Sequence, residues 1–323
     1  MVFKSINRRK FLQTTGAAAA GAVTANALAA ESAPSQSEVY VKEFYKSLSP
    51  KQKAVMCFPW EHPKRDYINN NWNIVDEDKY SVGSYFTSGQ QKMLLDIVKG
   101  NLSAEGYRRY EKQMKDDAGG FGSFTCAVFG DPAKDQYEWL LTGRHVTLRV
   151  DGNSQKDKAF GGPIFYGHAV RFTEKPDHPG NVWWYQGKQA NALFSSLSDE
   201  QKKVALVEDK APRDTSVVTI LKGMKGKFAG IPGKSLNMKQ KAQFEQVINS
   251  LLGNYRASDV LEAKKYIEAG GGLDNLHISF YNDNDLGEDK VWDRWLIEGP
   301  GFVWFFRGSP HVHSWVNIGN PAV

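Results

Sequence analysis

The chain has 323 residues, 41% of them hydrophobic, which is ample for one large core or two smaller ones. Its formal net charge of +5 comes from the N-terminus, because loss of the first 29 residues would remove four cations and no acid and leave +1. A near-neutral chain without a basic block has no electrostatic footprint for phosphates, so nucleic acids and anionic membranes are excluded as expected partners.

The first 29 residues have the pattern of a twin-arginine export signal. Arg8-Arg9 precedes Phe11-Leu12, a weakly hydrophobic Gly/Ala-rich run covers 16–25, and Ala27-Leu28-Ala29 is a small-residue cleavage site. The apolar run is shorter than the roughly 20 residues that span a bilayer, and no cysteine lies near the cleavage site. We therefore predict a periplasmic protein that the twin-arginine translocase exports and that has no membrane anchor.

After a linker over residues 30–44, the pattern predicts two α+β halves, 45–150 and 194–323. Each half begins with amphipathic helices whose apolar residues recur at i, i+3 and i+4. Each half ends with three alternating segments separated by turn residues, a pattern typical of an antiparallel three-stranded meander. A Gly-, Pro- and aromatic-rich connection over 151–193 joins the two halves.

The two halves also share residues at a nearly constant offset. Ser47-Leu-Ser49 resembles Ser196-Leu-Ser198, and each motif offers a serine that can cap a following helix. Trp139 and Trp295 take the same place in the middle segment of the two predicted meanders. We therefore predict an α+β fold of two pseudo-repeated halves, each with helices followed by an antiparallel three-stranded meander.

The connection contains two tryptophans, Trp183 and Trp184, amid turn residues. A pure linker would be poor in aromatic residues, so these side chains are expected to line a groove or to cover the sheet. Aromatic faces also stack on sugar rings. A glycan-binding function therefore stays open.

Both cysteines, Cys57 and Cys126, lie in apolar stretches, where a thiol behaves as a small hydrophobic group. The twin-arginine route exports proteins that have already folded in a reducing cytoplasm. Buried free thiols are therefore expected, and a disulfide formed in the oxidising periplasm is the alternative.

The C-terminal segment predicts a hairpin with two histidines on one face. Phe302–Phe306 is an unbroken aromatic and β-branched run typical of a strand buried on both faces, and turn residues follow it. In the returning strand, alternation places His311, His313 and Trp315 on the same face. Residues i and i+2 of a strand stand about 6.5–7 Å apart, so both imidazoles can reach one metal ion. The alternative is a hydrogen-bonded pair at the rim of the sheet.

A third histidine, His145, lies in the predicted third strand of the first half. Alternation places His145 and Arg149 on the polar face of that strand. If the two meanders meet, His145 approaches His311 and His313 and completes a three-nitrogen set with one position left open. Imidazole ligands suit a transition metal ion such as copper, zinc or iron. Arg144 or Arg149 could position an anionic or carbonyl substrate.

The residues Trp139-Leu-Leu-Thr-Gly-Arg-His145, Gly299-Pro300 and His311-Val-His-Ser-Trp315 resemble motifs of a bacterial exported family, the domain of unknown function 3500. The resemblance extends from about Leu48 to the end of the chain. It implies an exported bacterial protein and carries no settled activity.

These observations favour an exported, metal-dependent enzyme, which is either an oxidoreductase that acts on a small molecule, the preferred class, or a hydrolase. Its metal ligands would be His145, His311 and His313. The first alternative is a periplasmic binding protein for a glycan or another small molecule, with Trp183, Trp184 and Trp315 as stacking surfaces. A purely structural protein of the cell envelope is the second alternative.

Overall fold

A ten-stranded, mostly antiparallel sheet runs through the described part of the chain. The computed structural model describes residues 36–170, 178–207, 210–283, 285 and 289–322. The predicted export signal lies outside these residues. The strands are β1 (Cys57–Phe58), β2 (Thr125–Asp131), β3 (Gln136–Gly143), β4 (Val146–Val150), β5 (Ile164–His168), β6 (Ile231–Pro232), β7 (His277–Tyr281), β8 (Arg294–Gly299), β9 (Phe302–Arg307) and β10 (Val312–Ile318).

The order of strands across the sheet is β1-β2-β3-β4-β5-β10-β9-β8-β7-β6. The first five strands therefore follow the chain order, and the last five follow it in reverse. Strands β5 and β10 pair antiparallel in the middle, with Phe165 opposite Trp315. Only the pairing of β1 with β2 is parallel among the named strands.

Ten α-helices occur among the described residues, and four of them begin with a complete capping box. Ser49, Thr87, Ser198 and Asn237 each cap a helix together with a glutamine three residues later. The predicted combination of helices with an antiparallel sheet is thus confirmed. The helices are α1 (Gln36–Ser47), α2 (Pro50–Met56), α3 (Glu77–Tyr80), α4 (Val82–Tyr85), α5 (Ser88–Asn101), α6 (Ala104–Ala118), α7 (Trp184–Ser195), α8 (Asp199–Ala205), α9 (Met238–Leu252) and α10 (Ala257–Ala269).

The sheet is buried on both faces. Its helix-covered face forms the main core with Leu94, Ile97 and the buried residues of α9. The opposite face carries a smaller cluster, in which strand residues pack against the segment around Val218. Consecutive residues of β9, Trp304 and Phe305, belong to these two different clusters. The prediction that this strand is buried on both faces is therefore confirmed.

The connection over 151–193 has a larger role than the sequence predicts, because it supplies β5 at the centre of the sheet. Glycine and proline residues flank this five-residue strand, so the sequence pattern resembles a loop. Both cysteines are free, as expected, and Cys126 is buried, whereas Cys57 is half-buried. Among the described residues, no helix combines the length and the apolar character that crossing a membrane requires.

Candidate metal centre

Three histidines from two distant parts of the sequence converge on one point. The Nε2 atom of His313 lies 3.0 Å from Nε2 of His311 and 3.2 Å from Nε2 of His145. One ring nitrogen of each residue lies within 4.8 Å of the other two. His145 and His313 are buried, whereas His311 is half-buried and lies closest to solvent. We call this cluster the histidine centre, and its geometry could hold a metal ion.

The histidine centre lies at the middle of the sheet. His313 belongs to β10 and pairs with Gly167 of β5, and His311 lies just before β10 begins. His145 and Arg144 form the two-residue turn that joins β3 to β4. The predicted position of His145 on the third strand is thus wrong by one residue. With a φ of 56°, His145 adopts a left-handed backbone, which is uncommon for a residue other than glycine.

Gly167 makes room for the converging rings. A Cβ atom at this position would lie 3.2 Å from Cδ2 of His313 and 3.3 Å from Cγ of His145. It would also lie 2.5 Å from the carbonyl oxygen of Val312 on the neighbouring strand. No real Cβ tolerates the last distance, so a larger residue would push the strands or the rings apart.

A carboxylate fixes the outer nitrogen of each buried ring. Nδ1 of His145 lies 2.9 Å from Oδ2 of Asp117, and Nδ1 of His313 lies 2.8 Å from Oδ2 of Asp214. An ionised carboxylate only accepts hydrogen bonds, so each Nδ1 carries the proton and donates it. Both Nε2 atoms then direct a lone pair into the histidine centre. Carboxylate–histidine pairs of this kind orient metal ligands in proteins.

Asp214 is itself held by three donors. Arg307 Nη1 lies 2.7 Å from Asp214 Oδ2, and Trp315 Nε1 donates to Asp214 Oδ1 over 2.5 Å. The third donor is Nδ1 of His313. Burial alone would raise the pKa of the Asp214 carboxyl, but these hydrogen bonds and the charge of Arg307 hold that pKa well below its usual range. Arg307 Nη2 also donates to the carbonyl of His311 over 3.1 Å, so one guanidinium positions both histidines of β10.

Helix α6 holds the ring of His145. Gln113 Nε2 donates to the carbonyl oxygen of His145 over 2.6 Å, and Asp117 lies one turn further along the helix. Oδ1 of Asp117 accepts the backbone N–H of Ala169 at 3.0 Å. Trp183 Nε1 donates to the remaining amide oxygen of Gln113 over 2.8 Å. Helix α6 therefore fixes both the backbone and the ring of His145.

The donor set fits a metal ion. Burial lowers the pKa of His313 to about 3, against the opposing hydrogen bond to Asp214, so this imidazole is neutral at physiological pH. Metal–nitrogen bonds of about 2.0–2.1 Å in a tetrahedral arrangement separate the ligand nitrogens by about 3.3 Å. Two of the three nitrogen separations, 3.0 and 3.2 Å, are close to this value. Two lone pairs that face each other at 3.2 Å, those of His145 and His313, repel unless a cation lies between them.

The two predicted arginines occupy different environments. Arg149 is 1% exposed, and its guanidinium donates to Glu138 and to the carbonyl oxygens of Arg65 and Pro163. These partners make it part of a buried ion-pair network. Arg144 is half-buried beside His145, and its backbone bridges to Asn71.

The predicted stacking surfaces do not form. Trp183 and Trp315 are fully buried and Trp184 is 3% exposed. Trp315 instead binds Asp214, and Trp183 binds Gln113, through their indole N–H groups. The prediction of these three tryptophans as sugar-stacking surfaces is therefore wrong, because their rings pack inside the protein.

Sequence reasoning missed the residues that support the ligands: Asp117, Asp214, Gly167 and Arg307. Asp117 ends a helix and Asp214 lies in a loop, and neither belongs to a recognisable motif. One signal was available for Asp214. Alternation places Trp315 and His313 on one face, and two buried N–H donors side by side require an acceptor.

Comparison with known proteins gives one match. No curated protein matches the chain, and no solved structure matches it. Residues 31–316 match the family described as "Protein of unknown function (DUF3500)", and they include all three histidines. Because this match covers most of the sequence, the chain belongs to the DUF3500 family.

Proposed function

We propose that the protein is an exported metal-dependent enzyme whose metal ligands are His145, His311 and His313. The observation that carries this proposal is the pair of Nε2 atoms of His145 and His313, which face each other at 3.2 Å while both Nδ1 atoms are bound to carboxylates. With each Nδ1 proton donated to a carboxylate, neither Nε2 atom carries a proton while both rings are neutral. A cation between them removes the repulsion, and His311 adds a third nitrogen.

A simple hydrogen-bonded cluster explains the arrangement less well. His311 can carry its proton on Nε2 and donate to His313, which accounts for the 3.0 Å contact. The contact between His145 and His313 then still joins two acceptors. Burying such an unsatisfied pair costs about 1–3 kcal/mol, so a metal ion is the better occupant.

The metal would be copper, iron or zinc, because neutral imidazoles suit all three and no thiolate belongs to the ligand set. Among the reactions open to such an ion, we favour redox chemistry on a small molecule. Three protein ligands leave one position for the substrate or for water. When bound, the ion would supply Lewis acidity or electron transfer at that position.

The protein's own residues would orient the ligands and the substrate. Asp117 and Asp214 hold the rings of His145 and His313 in the tautomer that exposes Nε2. Arg144, the neighbour of His145, is our candidate for holding a negative charge of the substrate. We assign Arg149 a structural role, because its guanidinium already binds Glu138 and the carbonyl oxygen of Pro163.

We also propose that the two halves arose by duplication, with β5 and β10 where they meet. The mirrored strand order supports this proposal. Trp139 of β3 lies between partners on β2 and β4, and Trp295 of β8 lies between partners on β7 and β9. The matching places of the two tryptophans in two antiparallel triplets support the proposal of two repeated meanders.

The helices support the same proposal. Gln90 Nε2 donates to the carbonyl of Ser47 over 3.1 Å, and Gln240 Nε2 donates to the carbonyl of Ser196 over 2.9 Å. Each glutamine also completes the capping box of its own helix. A duplication accounts for such matched contacts.

A reciprocal pair of backbone bonds between the two halves adds further support. Ser103 N–H donates to the carbonyl of Asn254 over 3.0 Å, and Arg256 N–H donates to the carbonyl of Asn101 over 3.2 Å. Both bonds join the residues just before α6 to those just before α10. Reciprocal bonds of this kind are expected across a pseudo-twofold axis.

Metal content tests the proposed enzyme class. The native protein, purified without chelators, should contain about one equivalent of a transition metal. His145→Ala, His311→Ala and His313→Ala should each lose most of it, whereas His277→Ala, a histidine outside the centre, should retain it. Stoichiometric metal in all three variants, or none in the native protein, would contradict the proposal.

Export is proposed on the sequence of the first 29 residues and has its own test. Replacement of Arg8 and Arg9 by lysine should leave the precursor in the cytoplasm. Mature protein in the periplasm of cells that lack the twin-arginine translocase would contradict this route.

A further inference from the structure

A cavity lies on the face of the sheet that carries the histidine centre. Its volume is about 690 Å³, within the roughly 300–1,000 Å³ of small-molecule sites. Residues of β7 and β8 form its floor, and the segment 210–229 forms its walls. We call it the loop cavity. Its apolar lining includes Val207, Pro212, Val218, Ala229, Tyr281 and Leu296.

The charged residues of the loop cavity are mostly cations. Lys210, Arg213 and Lys227 line it and are exposed. Its single acid, Glu298, lies 2.6 Å from Lys222 and is neutralised by that lysine. Among the described residues, no carboxylate forms an ion pair with Arg213 or Lys227. The cavity therefore combines an apolar floor with an excess of positive charge.

Exposed apolar side chains surround the mouth of the cavity. Val217 is 68% exposed and Ile220 is 64% exposed, and both line it. Exposed apolar groups that border a concave apolar surface are typical of ligand sites, because a ligand removes them from water.

The loop cavity is separate from the histidine centre. Leu296 lies opposite Phe305, which lies opposite Trp315, and His313 is two residues further along β10. Two strand spacings of about 4.8 Å and two residues of about 3.3 Å place Leu296 about 12 Å from His313 at the backbone. A ligand in the cavity therefore needs no metal ion for binding.

We propose that the loop cavity binds an apolar anion, namely a carboxylate with a hydrocarbon chain or ring. The hydrocarbon packs on Tyr281, Leu296 and Val218. Arg213 and Lys227 pair with the carboxylate at the rim, where the planar guanidinium can form two parallel hydrogen bonds. Charge complementarity selects this ligand over a cation or a neutral molecule of the same length.

Calorimetric titration with dodecanoate, below its micellar concentration, tests this site in the native protein. One equivalent should bind, and a dodecyl cation of equal chain length should bind at least tenfold more weakly. The double variant Arg213→Gln/Lys227→Gln should lose at least tenfold in affinity for dodecanoate. Lys225→Gln removes an exposed charge from the same loop outside the cavity, and its affinity should stay within twofold of the native value.

A second variant tests the apolar part of the site. Ala229→Trp would fill the cavity from an exposed position, so it should abolish binding without unfolding the protein. His313→Ala should retain dodecanoate binding, which separates this site from the proposed metal centre. Equal affinity for the anion and the cation, or unchanged affinity in the double variant, would overturn the proposal.

Discussion

Replacement of Asp214 by asparagine tests the link between the ligand His313 and its supporting carboxylate. Asp214 accepts hydrogen bonds from His313, Arg307 and Trp315. An asparagine offers one acceptor oxygen and one amide group, which would place N–H groups against at least one of these donors. If His313 loses its acceptor, its proton can move to Nε2, the atom that would bind the metal.

The geometry predicts how much metal affinity and stability the variant should lose. Loss of a carboxylate that supports a metal-bound histidine lowers metal affinity by about 10–100-fold, which corresponds to about 1.4–2.7 kcal/mol. The metal-free variant should also be less stable by about 3–5 kcal/mol, because Arg307 would keep its largely buried charge without a carboxylate partner. Competition with a chelator measures the first quantity, and urea unfolding of metal-free protein measures the second.

Asp116→Asn is the matched control. Asp116 also binds a histidine ring, with its Oδ2 atom 3.1 Å from Nε2 of His168, but that histidine lies outside the histidine centre. The metal affinity of the Asp116→Asn variant should equal that of the native protein. An Asp214→Asn variant with native metal affinity would refute the role assigned to this carboxylate.

Three further predictions concern the space at Gly167, the proposed repeat and the pH dependence of stability. Gly167→Ala should lower the metal content and should lower the free energy of unfolding by about 1–3 kcal/mol, because the new Cβ would press on His313. Native values for both quantities would contradict the role of Gly167. Gln90→Leu and Gln240→Leu should each lower the free energy of urea unfolding by about 1–3 kcal/mol, since each change leaves a corresponding carbonyl, that of Ser47 or of Ser196, without its donor. Unequal costs would weaken the proposed duplication. Burial raises the pKa of Asp151 to about 6, so the folded state holds this proton more tightly than the unfolded state does. Stability should then fall by up to about 3 kcal/mol as pH rises from about 4 to 7, and Asp151→Asn should flatten that slope.

The sequence predicted those parts of the fold that depend on local pattern. The aromatic run Phe302–Phe306 and the alternation after it sufficed to place the C-terminal hairpin and the faces of its residues. The central strand β5 was not predicted, because it is short and lies among glycines and prolines. Its place depends on pairing with β10, which lies nearly 150 residues away and leaves no local signal.

The three ligands could be proposed from sequence because side-chain alternation places His311 and His313 on one face and the predicted repeat suggests that strands of the two halves meet. The carboxylates could not, since Asp117 and Asp214 reach the rings only after helix α6 and the loop have packed on the sheet. The role of Arg149 was equally hidden. The sequence pattern of a charged residue on a strand does not show whether it binds a substrate or, as Arg149 does, a buried carboxylate such as Glu138.

X-ray absorption at the edge of the bound metal tests the central claim most directly. In the native protein, we expect three imidazole nitrogens at about 2.0–2.1 Å and one further light atom. His145→Ala should remove one imidazole from the spectrum although residue 145 lies in the other half of the chain from His311 and His313. A spectrum with sulfur ligands, or an identical spectrum for native protein and His145→Ala, would contradict the proposed metal centre.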